Sequence, residues 1–177
     1  MTKNTNYLFL TPFYNIKNKH GGVKRSNQIV QCFEYENILI SNPYLNFKES
    51  LIYLKKNYFK IFSSFCFSLE LFIKKGLSLK GFFLTTIKSI KFIDMINTKG
   101  NRMLILEGGG DLPIIFAQYL TSKKIKFIIF ISNIEYLVPD LNKSNYFREN
   151  SFKYKMELNG YRFAEKVFTI SDYDNSI

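Results

Sequence analysis

Five short, nearly unbroken apolar runs constrain this chain more than any other feature: Tyr7 to Thr11, Asn37 to Ser41, Arg102 to Glu107, Lys126 to Ile131 and Val167 to Ile170. Runs of this length suit strands better than helices. Strands that are apolar at successive positions are buried on both faces, which is the condition of a parallel sheet covered by helices. The intervening segments carry helical spacing. Val23 to Tyr35 has apolar residues at 23, 29, 30 and 33; Ile114 to Leu120 is continuously suited to a helix; and between Asn145 and Ala164 the side chains of Phe152, Met156 and Phe163 share one face. Strand and helix alternating in this way predict an α/β fold, a doubly wound and mostly parallel sheet flanked by helices, with right-handed crossovers. With 177 residues, no internal repeat and no Pro/Gly/Ser-rich linker, a single domain over residues 1–177 is expected.

Two glycine clusters fall where strands should end. Gly21-Gly22 precedes the first helix, so backbone N–H groups there can approach a phosphate with help from Lys24 and Arg25, or the pair can simply form a tight turn. Gly108-Gly109-Gly110 lies between a strand and a helix for which Asp111 is the expected N-cap and Pro113 a first-turn residue. Positions 111–113 are Asp, Leu and Pro, so the G-x-G-x-x-G dinucleotide fingerprint is not formed and an NAD(P)-type oxidoreductase is disfavoured. Glu107 and Glu135 fall at or just past the C-terminal ends of strands, the edge where open α/β sheets bind ligands. Such carboxylates orient a sugar hydroxyl or cap a helix. His20 in the first loop is a phosphate contact, a general base or merely solvated.

Charge is unevenly placed. The chain carries +11, and residues 48–102 hold eleven positive against three negative side chains, +8 of that total. An apolar stripe from Leu51 and Leu54 through Tyr58, Ile61, Phe62, Phe65 and Leu69 to Phe72 follows helical spacing across this insert of about residues 48–99, with Lys55, Lys56 and Lys60 between its members and Lys74 and Lys75 just after. Either the stripe packs on the sheet and the lysines are solvated, or this face rests on anionic lipid. Its longest uncharged run, Ile61 to Leu69, is far below the roughly 20 residues that span a bilayer. The basic residues are almost all Lys and accompany no recognition-helix, zinc-finger or RNP motif, so nucleic acid is disfavoured.

A single histidine excludes multi-His metal sites, and no metal is expected. Cys32 and Cys66, each among apolar or aromatic neighbours, read as buried reduced core residues. The polar start from Met1 to Asn6 carries no apolar signal region, which suggests a cytoplasmic chain. No Ser/His/Asp order, Cys/His pair or P-loop is present.

A strand ending in Thr11-Pro12, then Gly21-Gly22-Val-Lys-Arg25-Ser26 and a helix, resembles the opening of retaining, sugar-nucleotide-using glycosyltransferases of the GT-B class. Phe130-Ile-Ser-Asn133-Ile-Glu135-Tyr-Leu-Val-Pro139 is similar to that family's segment after a central strand, and Glu149 through Ala164-Glu-Lys-Val-Phe-Thr-Ile-Ser171 to its last helix and strand before the interdomain crossing. The three islands keep the family's order and spacing, and together the resemblance covers nearly the whole chain except residues 48–99. The resemblance implies a Rossmann-like N-terminal, acceptor-side domain of a hexosyltransferase-like enzyme. It would take no cofactor beyond a nucleotide-sugar donor as co-substrate, and would serve a glycan or lipid-linked acceptor in polysaccharide biosynthesis. Gly21, Gly22 and Arg25 would then approach the donor diphosphate, Asn133 and Glu135 would line the cleft wall, and Ser171 would stand at the last strand's exit. Where the family often has His before the Asn, this chain has Ser132. The resemblance further implies that the donor-binding half belongs to a separate domain or subunit, and that these 177 residues alone transfer no sugar. The alternative is a non-catalytic basic α/β module docking on an anionic membrane, at its inner face, or on a partner protein.

Overall fold

The computed structural model describes residues 7–13, 21–32, 38–108, 110–131 and 146–169. In chain order it runs β1 (Tyr7–Leu10), α1 (Gly21–Cys32), β2 (Ile38–Ser41), α2 (Phe47–Lys56), a 3-10 turn (Tyr58–Lys60), α3 (Ile61–Lys74), α4 (Leu79–Thr98), β3 (Met103–Gly108), α5 (Asp111–Ser122), β4 (Phe127–Ile131), α6 (Asn150–Phe163) and β5 (Lys166–Phe168). The five strands form one sheet in the order β2-β1-β3-β4-β5, every pair parallel. This is a Rossmann-like α/β architecture, as the apolar runs predict.

Alternation along the strands divides the core in two. Leu8, Leu10, Leu104, Leu106 and Ile129 point to one face, where they meet α3, α4, α5 and α6 through residues such as Phe67, Phe92, Phe116 and Met156. Phe9 and Ile105 point to the other, against Ile29 and Val30 of α1. The larger face is centred on Phe92 and Phe116, fully buried and stacked at 4.0 Å between ring centroids. Burying a side chain of this size contributes roughly 1.5–3 kcal/mol.

Several boundaries differ from the sequence reading, each for a local reason. Gly21 and Gly22 are not a loop before the helix but its first turn. Gly108 belongs to β3, paired with Ile131, and the Pro113 ring packs where its Cβ would stand. Asp111 is the first residue of α5 rather than its cap; Gly110, with φ +94°, occupies the cap position. The last helix begins at Asn150, Phe163 is exposed at its end, and β5 is Lys166–Phe168.

The largest correction concerns the insert. The stripe from Leu51 to Phe72 is not one helix: α2 ends at Lys56, and Asn57 and a 3-10 turn redirect the chain into α3. α3 buries Ser64, Phe67, Ser68 and Leu71 as it packs on α4, with the Ser64 hydroxyl donating to the Thr86 carbonyl at 2.7 Å and the Phe67 ring meeting Tyr119 of α5. Small serines let the two helices approach closely, so Tyr58, Phe62, Phe65 and Leu69 are left outward and exposed. Packing of that stripe on the sheet is therefore not what the structure shows. Cys32 and Cys66 are likewise exposed free thiols rather than core residues, since both fall on outward faces of their helices. No helix among the described residues is long and apolar enough to cross a membrane.

Candidate functional site

The strand order reverses between β1 and β3, and at such a switch point the C-terminal strand ends of an open α/β sheet form the ligand-binding edge. β1 and β3 deliver Thr11 and Glu107 to this edge. Parallel register aligns Leu10 with Leu106, so Glu107 stands one residue further on and its side chain falls on the α1 face. A fully buried carboxylate in an apolar strand needs partners. α1 supplies them: Arg25 Nε donates to Glu107 Oε1 at 2.9 Å and Ser26 Oγ to Oε2 at 2.6 Å. The Ser26 hydroxyl also meets Thr11 Oγ1 at 3.2 Å, and Thr11 Oγ1 accepts from the Phe13 N–H at 3.0 Å. Arg25 lies over the Phe13 ring, 5.9 Å from its centroid. Tyr44, following β2, donates its hydroxyl to the Glu107 carbonyl at 2.6 Å. Burial, and then the Glu107 charge, push that phenol well above its ordinary pKa, so Tyr44 remains a neutral donor.

This network ties α1, β1, β3 and the segment after β2 together at the sheet's ligand edge. It also fixes where the start of α1 points. Gly21 and Gly22 open that helix, so their N–H groups are among the four at a helix start that have no partner within the helix. Arg25 and exposed Lys24 stand in the next positions. The Arg25 side chain is held by Glu107 yet keeps a quarter of its surface exposed. Beside this, the start of α5 is already compensated: Asp111 sits in its first turn and pairs with Lys153 of α6 at 3.2 Å, both nearly buried. An anion therefore meets a favourable field at α1 and an occupied one at α5.

Of the sequence-derived site residues, Gly21, Gly22 and Arg25 come together at the switch point, while Asn133, Glu135, Ser171 and His20 lie outside the described residues. Glu107 is an internal counter-charge rather than a free carboxylate. Tyr44 and Lys153 escaped the sequence reading. The signal for a cation near Glu107 was available, since it is the one carboxylate inside an apolar strand run; the signal for Tyr44 was not, because only the sheet order brings it there. Among the described residues no cluster of three His, Cys, Asp or Glu side chains gathers.

The lysines of the insert divide. Lys55 and Lys56 at the end of α2 and Lys75 after α3 are exposed, and Lys74 makes only a surface pair with Glu70 at 3.6 Å. Lys60 is committed: its ammonium lies 2.6 Å from Asp94, which also accepts from the Tyr53 hydroxyl. Burial works to raise the Asp94 pKa, but the hydrogen bonds from Lys60 and Tyr53 outweigh it and hold the carboxyl below the usual range. Tyr53, by burial and by the same bond, is pushed up to about 12. A carboxyl depressed in the folded state contributes stability above its unfolded pKa of roughly 3.9, and that contribution fades as pH falls through the lower folded value. Lys60→Gln should therefore flatten the acid limb of a plot of urea midpoint against pH. An acid limb identical to that of the parent chain would show that Lys60 does not set the Asp94 titration.

Comparison of the chain with protein-family models, with curated proteins and with solved structures gives no match. The fold defines the class, a Rossmann-like α/β protein in which Arg25 and Glu107 join α1 to the β1–β3 switch point.

Proposed function

We propose that the chain is the acceptor-side domain of a cytoplasmic glycosyltransferase of the GT-B kind, part of an enzyme that moves a sugar from a nucleotide-sugar donor to a glycan or lipid-linked acceptor. The observation that carries the reading is the convergence of Gly21, Gly22 and Arg25 at the β1–β3 switch point, with Arg25 locked in place by buried Glu107. In this reading the diphosphate of the donor meets the backbone N–H groups at the start of α1, where the helix dipole and Lys24 favour negative charge. Glu107 acts through Arg25, as a positioning residue. The resemblance assigns Asn133, Glu135 and Ser171, which lie outside the described residues, to the rest of that cleft, and the donor-binding half to another domain or subunit.

The test is calorimetry with nucleoside diphosphates, soluble glycans and short-chain polyprenyl-phosphate sugars, followed by a transfer assay with labelled nucleotide sugars. The expected result is binding of a phosphate-bearing ligand that weakens about fivefold to tenfold in Lys24→Ala, the effect of one charge-assisted contact, and no transfer by the chain alone. Absence of binding to all three ligand classes defeats the reading. Robust transfer by the chain alone defeats its half-enzyme part.

A further inference from the structure

Eleven of the sixteen exposed large hydrophobic side chains among the described residues lie between Phe47 and Phe83. Six of the eleven lie along α3 and the turn before it. At 100° per residue, Phe62, Phe65, Leu69 and Ile73 fall on the face of α3 opposite to Ser64, Phe67, Ser68 and Leu71, the residues that the helix buries. Tyr58 and Phe59 belong to the preceding 3-10 turn. Their exposure is extreme for aromatic side chains: 72% for Tyr58, 66% for Phe59 and 71% for Phe62, with Ile73 at 70%. A contiguous apolar ridge of this kind marks an interaction surface.

The charge around the ridge selects its partner. Lys55 and Lys56 bracket one end, Lys74 and Lys75 the other. The insert's three carboxylates are each engaged: Glu49 in the cap of α2, Glu70 with Lys74, and Asp94 with Lys60 and Tyr53. Lys55, Lys56 and Lys75 are exposed and make no ion pair among the described residues, and Lys74 makes only a surface pair with Glu70. A second copy docked ridge to ridge, parallel or antiparallel, would set lysine pair against lysine pair. A flat anionic surface instead accepts the apolar ridge between its head groups while meeting both lysine pairs with phosphates.

We propose that α3 and the turn before it form a peripheral membrane-docking ridge, with Tyr58, Phe59, Phe62, Phe65, Leu69 and Ile73 entering the head-group layer of an anionic bilayer. This assignment stands whatever the switch point binds, because the two surfaces share no residue. The experiment is co-sedimentation of the full chain with vesicles of phosphatidylcholine alone or mixed with phosphatidylglycerol, at low and high salt. Binding to the mixed vesicles is expected to exceed binding to the neutral ones and to fall with salt. Each lysine neutralised removes about a fivefold factor, so Lys55→Gln with Lys56→Gln should weaken partition roughly 25-fold. Phe62→Ser with Ile73→Ser should abolish it. All four positions are exposed, and an unchanged circular-dichroism melt separates loss of docking from loss of folding. Absence of binding, or binding equal for both vesicle types and insensitive to salt, overturns the proposal. So does a lipid-free dimer, seen by sedimentation velocity, that the Phe62 and Ile73 substitutions dissolve.

Discussion

Glu107→Ala is expected to lower the unfolding free energy by roughly 3–5 kcal/mol, the usual consequence of removing one partner from a buried ion pair. The Glu107 side chain is fully buried and accepts from two donors on α1, so its loss leaves Arg25 without its counter-charge and the Ser26 hydroxyl without its carboxylate acceptor. Two features place the effect near the lower end. Arg25 keeps a quarter of its side-chain surface exposed and can turn part of its guanidinium to water, and Ser26 retains Thr11 as a partner. Glu107→Gln preserves volume but sets an amide N–H₂ or a weaker neutral acceptor against a cation, and should cost about 2 kcal/mol. The double variant Arg25→Met with Glu107→Leu removes both charges together. It should be more stable than the sum of the single changes predicts, because no unpaired charge remains buried. Equilibrium urea unfolding measures all of these, provided the slope is unchanged. A loss within about 0.5 kcal/mol for Glu107→Ala, the scale of a neutral surface change, would remove this pair from its place as the pin between α1 and β3.

The consequence reaches the β1–β3 switch point, because the pair joins β3 to the start of α1. That pair also shows what sequence can carry. β1, β3 and β4 were legible because burial leaves a one-dimensional mark, a nearly unbroken apolar run, whereas β2 keeps Leu39 exposed and all three residues of β5 are exposed. Gly21, Gly22 and Arg25 were legible as a group because they are neighbours in the chain. The pairing of Arg25 with Glu107 spans 82 positions and depends on β1 and β3 being adjacent, a fact no local pattern records. The insert failed for a different reason. A helical stripe of aromatic residues looks the same whether it faces a core or a solvent, and the residues that decide are the unremarkable serines at 64 and 68. Their small size makes that face of α3 the close-packed one, and the conspicuous aromatics are left outside. Cys32 and Cys66 are exposed for the same physical reason, since apolar neighbours in sequence do not decide which face of a helix is buried.

Gly81→Ala is expected to cost about 3 kcal/mol, the upper range for forcing atoms into a packed site. Gly81 sits in the first turn of α4, where its N–H donates to the cap residue Ser78 at 2.9 Å. A Cβ there would overlap the backbone of Tyr146, carbonyl oxygen included. Rotamer changes cannot relieve that overlap, since the obstacle is main chain rather than a flexible side chain. The obstructed carbonyl is itself in use, accepting from the Ser78 N–H at 2.7 Å, and the adjoining strip is held by Arg148 N–H to the Gly76 carbonyl and Arg148 Nε to the Leu77 carbonyl, both 3.1 Å. The substitution must therefore either shift the start of α4 or peel away the segment from Tyr146 to Arg148. Both outcomes loosen the junction from which α3 and α4 rise. Hydrogen exchange discriminates this from a uniform loss of stability. Amides of Ser78, Gly81 and Arg148 should lose protection first, while those of β1 and β3 follow only the global change. If the variant retains parent-like protection at Ser78 and Arg148, the close approach at Gly81 does not anchor the hairpin that carries the apolar ridge.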